Sequence, residues 1–199
     1  MGDLKNPIMF TFNDVLKGRG DLPAEMVKDL EEYYDSMKLL SDGDGKNLEF
    51  SNKDFLHAGM VLATLFNRSK TDINIFAHSF SGQVSNPQFY REELSEAIKR
   101  GVEVNVVFEQ LPTASSECYR DLKALQTTHS SLKLFVLNSS FVTKVNAKGL
   151  NNFTTGDSRM FRYETDKVNF KAYCNFDDLK TVSALNNNFK VLKVNSNPC

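Results

Sequence analysis

An α/β fold with mostly parallel strand pairing is what this sequence predicts, on three observations. Helix-like and strand-like segments alternate from Ser51 onward. The strand candidates are short and rich in β-branched residues, and no repeat or low-complexity linker interrupts the alternation. A chain of 199 residues is also long enough to bury a core without disulfides or metal.

The elements follow in order. Residues 22–40 place Met26, Leu30, Tyr33 or Tyr34, Met37 and Leu40 at helical spacing, behind Asp21 and Pro23 at the expected start. SDGDGKN (41–47) breaks that helix as a turn; it has neither the glycine at position six nor the glutamate at position twelve of a calcium loop. Residues 1–50 thus form an N-terminal helical extension, and 51–199 the α/β domain. From Ser51, a plausible N-cap with Asp54 three residues on, a second helix runs to about residue 70.

DINIFAHSF, with Ile73, Ile75 and Ala77 alternating, is a strand, QFYREELSEAIKRG is a helix stopped by Gly101, and VEVNVVFEQ is a second strand. SECYRDLKALQTTH predicts a helix and SLKLFVLNS a strand. LNNFTTGD reads as a polar loop; MFRYETD, KVNFKAYCNF and FKVLKV read as strands, with DDLKTVSALNNN helical between the last two.

Composition excludes several functions. With 24 Lys and Arg against 25 Asp and Glu, the surface is not the wholesale basic one that nucleic acid selects, although a local basic patch is allowed. Three cysteines without CxxC spacing argue against a disulfide framework or zinc site, and suit a reducing cytoplasm. No secretory signal pattern and no long apolar run appear, so a cytoplasmic protein with no membrane partner is expected. The three histidines lack metal-ligand spacing, so no metal and no cofactor are assigned. No GxGxxG or P-loop follows any strand, which ranks a Rossmann-type or receiver domain last.

The order INIFAHSFSG, EELSEAIKRG, VEVNVVFE, LKLFVLN, LNNFTTGD and CNFDD resembles one half of a phospholipase D-type protein, over roughly residues 51–194. The resemblance implies a single phospholipase D-like domain, with a mixed, mostly parallel sheet flanked by helices. It implies the chemistry of phosphodiesterases and nucleases with the motif H-x-K-x(4)-D. There the histidine is a covalent nucleophile and the lysine holds phosphate oxygens.

Aligned with that motif, the histidine position falls on Asn152 and the lysine position on Thr154. The aspartate position falls on Arg159, with Asp157 two residues earlier, and the late asparagine on Asn175. A looser likeness to bacterial variants reading H-F-x-x-x-D…f-R-x-E aligns Asp157, Arg162 and Glu164, with Phe153 and Phe161 as core neighbours. An amide cannot perform a histidine's nucleophilic chemistry, so the chain as written is expected to be inactive, whether the asparagine is natural or a replacement. The family's single-motif members pair two copies, which implies a homodimer and a nucleic acid or other phosphodiester as partner. The alternative is a non-catalytic module binding nucleic acid, a nucleotide or a protein, in a bacterial regulatory or phage-defence setting.

Arg162 and Glu164, two apart on a strand, face the same side, either presented to a phosphate or as a plain ion pair. The ligand site of such sheets lies at the carboxyl ends of parallel strands. His78, Ser79 and Ser81 at the end of the first strand, and Glu109 at the end of the second, are therefore substrate-binding candidates, against the alternative that they are ordinary structural residues.

Overall fold

The computed structural model describes residues 9–43, 47–80 and 82–199. Asp44, Gly45 and Lys46 of the expected turn lie outside the described residues, as does Ser81. The described elements run α1 (Phe12–Leu16), α2 (Ala24–Ser41), β1 (Phe50–Asn52), α3 (Phe55–Arg68), β2 (Asp72–Ala77), α4 (Gln88–Lys99) and β3 (Glu103–Phe108). They continue α5 (Glu117–Gln126), β4 (Leu132–Leu137), α6 (Ser139–Ala147), β5 (Phe153–Gly156), β6 (Met160–Asp166), β7 (Lys171–Asn175), α7 (Leu179–Val194) and β8 (Ser196–Pro198).

One mixed sheet joins the strands in the order β1-β7-β6-β5-β2-β3-β4-β8. Parallel pairing holds in the central trio β2, β3 and β4, each linked to the next by a helix. The expectation of mostly parallel pairing describes that trio only. Outside it every pairing is antiparallel, because β5, β6 and β7 form a meander and β1 and β8 return to the edges.

Strand alternation sends side chains to two cores. Ile73, Ile75, Val104, Val106 and Leu134 join α2, α3, α4 and α5 on one face. Phe76, Val107, Phe153 and Phe161 meet α6 and α7 on the other. Residues 9–41 belong to the first core: Met9, Phe10, Leu30 and Met37 are buried in it, each large apolar side chain stabilising by about 1.5–3 kcal/mol. Glu93 clamps this segment, accepting from Phe10 N at 2.8 Å and Asn67 Nδ2 at 3.0 Å. Burial pushes its carboxyl up against those bonds.

Three local expectations change. Ser51 lies in β1, paired with Tyr173, and the N-cap of α3 is Asp54, whose carboxylate accepts from Leu56 N at 2.8 Å and His57 N at 3.0 Å. FKVLKV is helical, not a strand: Val182, Leu185, Phe189 and Leu192 make one buried helical stripe, while Val191 and Val194 are exposed. The presumed loop LNNFTTGD contains β5, buried along its whole length. Gly101 does end its helix, at φ +87°, where a Cβ would be strained.

Candidate active site

The site forms where the carboxyl end of β2 meets the start of β5. These strands are antiparallel with Phe76 opposite Phe153, so residue 152, just before β5, stands beside residue 78, just after β2. The amide of Asn152 spans the junction. Its Oδ1 accepts from His78 N at 2.8 Å, and its Nδ2 donates to Glu164 Oε2 at 2.6 Å. Glu164 N in turn donates to Asn152 O at 2.9 Å.

Cross-strand register sets the next row. Ile75, Thr154, Arg162 and Cys174 align across β2, β5, β6 and β7 on the face toward α3. Arg162 is buried and fully directed: Nε donates to Asn52 Oδ1 at 3.1 Å, and Nη2 to Phe170 O at 2.9 Å and Glu164 Oε1 at 3.4 Å. Asn52 Nδ2 also donates to Phe170 O. Both charges of the Arg162–Glu164 pair are thus satisfied away from water, the condition for burying charge at tolerable cost. Cys174 lies beneath, its thiol pushed by burial up to about 12, as suits a small apolar side chain.

A second dyad closes the other side. The parallel ladder continues past β3, with Glu109 N donating to Ala77 O and Gln110 N to His78 O, both at 2.9 Å. That brings Glu109 Oε2 to 3.0 Å from His78 Nδ1. The Glu109 side chain is 3% exposed and that of His78 48%. Burial alone would raise the Glu109 carboxyl, but hydrogen bonds from His78 and Asn146, with the nearby charges of His78 and Lys167, hold it below the usual range. An ionised carboxylate can only accept, so Nδ1 points a proton at it, and the neutral form of the ring has its lone pair on Nε2.

These groups surround a cavity of about 230 Å³. Leu62, Ile75, Phe80, Val84 and Tyr90 make its apolar wall; His78, Ser79, Asn152, Thr154, Arg162, Glu164 and Lys167 supply its polar lining. Among the described residues no cluster of three or more His, Cys, Asp or Glu could hold a metal ion. No helix among them is long and apolar enough to cross a membrane.

The structure therefore gathers Asn152, Thr154, Arg162, Glu164, His78 and Ser79 around one cavity, with Glu109 held behind His78. It does not bring Asp157 there. That residue lies just past the end of β5, five positions on from Asn152 and about 17 Å away by strand rise. Asp157 (φ +49°) and Ser158 (φ +55°) form the tight turn into β6, closed by Arg159 N to Gly156 O at 3.1 Å. The Asp157 carboxylate accepts from Lys70 N at 2.9 Å, and from Thr71 N at 2.8 Å and Thr71 Oγ1 at 3.0 Å. It anchors the turn between α3 and β2. Asp157→Ala is expected to lower stability by about 2 kcal/mol, the range for hydrogen bonds to a charged group. Urea unfolding measures the loss; a stable variant that lost ligand binding would instead put Asp157 in the site.

Asn175 also lies apart, opposite Phe161, three residues back along β6 from Glu164. It donates to Asn47 Oδ1 at 2.9 Å and accepts from Asp177 N at 2.7 Å. Sequence reasoning missed Asn52, Lys167 and Phe170. Asn52 holds Arg162 across 110 positions, and no local pattern signals such a partner.

No protein-family model matches the chain, and no curated protein matches it. Solved structures do. Nuc, a phospholipase D family member from Salmonella typhimurium, is 13% identical, with 77% of this chain and 99% of that one covered and a TM-score of 0.58. NucT from Helicobacter pylori is likewise 13% identical, with the same coverage and a TM-score of 0.54. TrmBL2, an archaeal chromatin protein described as showing a novel mode of DNA binding, is 10% identical over 88% of this chain, with a TM-score of 0.56. The chain spans 65% of TrmBL2. The protein therefore has the phospholipase D-like fold.

Proposed function

We propose that this chain is a phosphodiester-binding domain of the phospholipase D type, in which the family's histidine route is closed because Asn152 occupies the nucleophile position. One observation carries the reading. Asn152 and Thr154 stand in adjacent rows on one face of β5, the spacing of the H-x-K pair, and the Asn152 amide has both polar atoms bound by His78 and Glu164. An amide nitrogen has no nucleophilic lone pair, so the frame persists without its reagent. The partner on this reading is a nucleic acid or other phosphodiester. Two copies would pair as a homodimer, since each chain has one motif copy.

Asn152→His tests it. An imidazole there adjoins Glu164, which can orient its ring. Hydrolysis of bis(p-nitrophenyl) phosphate in EDTA is expected to rise roughly 100-fold or more over the parent chain. A well-folded variant without gain, together with a parent that binds no phosphodiester, would sink the proposal.

A second reading, a nucleic-acid-binding module without hydrolysis, is supported by the overlap with the DNA-binding TrmBL2, which covers 88% of this chain against 77% for Nuc and NucT. On that reading Asn152→His stays silent while the parent retains binding to single- or double-stranded DNA in a salt-dependent manner.

A further inference from the structure

We propose that His78, oriented by Glu109, is the nucleophile of this cavity, taking from another strand the role that position 152 has lost. The inference rests on the phosphodiester reading above. Three features single out His78. Its Nδ1 lies 3.0 Å from a carboxylate that is almost wholly buried, so the ring is held in one orientation and one tautomer. His78 lines the cavity with its side chain half exposed, which leaves it within reach of a ligand. Its backbone N–H is bound by Asn152 itself, which places it next to the vacated chemistry.

Neither other histidine combines these features: His57 is 1% exposed between α2 and α3, and His129 bonds Thr128 and Leu125 O after α5.

The step balances without a metal or redox partner. The Nε2 lone pair forms a P–N bond to the phosphodiester while one P–O bond breaks, and the leaving oxygen takes a proton from water. The product ring carries a positive charge, and the Glu109 carboxylate, already bound at Nδ1–H, stabilises it. Water then attacks phosphorus, the P–N bond breaks, and Nε2 recovers its lone pair as the water proton is released to solvent. Lys167, which lines the same cavity, is placed to offset negative charge on the phosphoryl oxygens. Glu109 is a positioning residue; it does not touch the reacting atoms.

The experiment uses the parent chain, His78→Gln, Glu109→Gln and Asn152→His with bis(p-nitrophenyl) phosphate in EDTA. Samples are quenched in alkali, where a phosphoryl-histidine survives, and mapped by peptide mass spectrometry. The expected result is slow release of p-nitrophenol by the parent, with an adduct on the peptide containing His78. Both should disappear in His78→Gln, and Glu109→Gln should lower kcat about 10-fold or more with KM little changed.

Release that survives in His78→Gln, or release with no adduct at His78, overturns the proposal; the adduct is read on the parent, so it does not depend on how the variant folds. A silent parent beside an active Asn152→His overturns the role of His78 and leaves the phosphodiester reading standing. Silence in all four chains, with no binding of the probe, removes both.

Discussion

Replacing Arg162 by alanine is expected to lower the stability of the fold by about 3–5 kcal/mol, the cost of breaking a buried ion pair on one side. At this chain length that corresponds to a drop in Tm of roughly 6–20 °C. The cause is what the guanidinium leaves behind. Glu164 is 4% exposed and would keep a buried charge with only the Asn152 amide and no cation. Asn52 and the Phe170 carbonyl would each lose a donor. Removing both charges together, as Arg162→Met with Glu164→Leu, should recover much of the loss, because hydrophobic replacement of a buried pair is often neutral. Thermal and urea unfolding of the two variants measure the difference. A loss under 1 kcal/mol in the single variant would mean that water reaches the pair.

Gly156→Val is expected to cost about 3 kcal/mol, the upper range for forcing volume into a packed core. A Cβ at this position would stand 2.5 Å from Ser69 Oγ and 2.9 Å from Leu65 Cδ2. Ser69 cannot simply turn away, since its hydroxyl donates to Leu65 O at 2.8 Å. The glycine lets the end of β5 lie directly against the end of α3. Because β5 begins at the site and ends at this contact, the shift would travel along one short strand to Asn152. Unfolding measurements should therefore show lost stability, and phosphodiester binding should weaken with it. Unchanged stability would show that the helix end yields freely.

The legible parts of the fold were those with local causes. β2, β3, β4 and the helices between them carry a period of two or of 3.6 within a few residues, and Gly101 marks its own helix end. β5 was illegible because TTG carries little apolar signal; it becomes a strand through partners on both sides, β2 and β6. FKVLKV misled because a six-residue segment is too short to outweigh a helical stripe that starts at Val182, before the segment begins.

At the site, the reading of Arg162 with Glu164 on one face follows from strand geometry alone and agrees with the observed row. Asp157 was placed with them by motif spacing, yet a turn separates it from β6 and the length of β5 separates it from the cavity. His78 and Glu109 were visible only as residues at strand ends. Their pairing depends on the parallel register of β2 with β3, which no sequence window contains.

The flanks of the sheet limit how this molecule meets copies of itself. β1 at one flank is three residues long, and β8 at the other is three residues long with a proline, which has no N–H to offer. A neighbour seeking to extend the sheet by backbone hydrogen bonds would find almost no template at either flank. Fibril-like stacking is thereby discouraged. A stable pair of these chains must be made by side chains meeting across a surface, which ties any dimer to specific residues that substitution can disrupt.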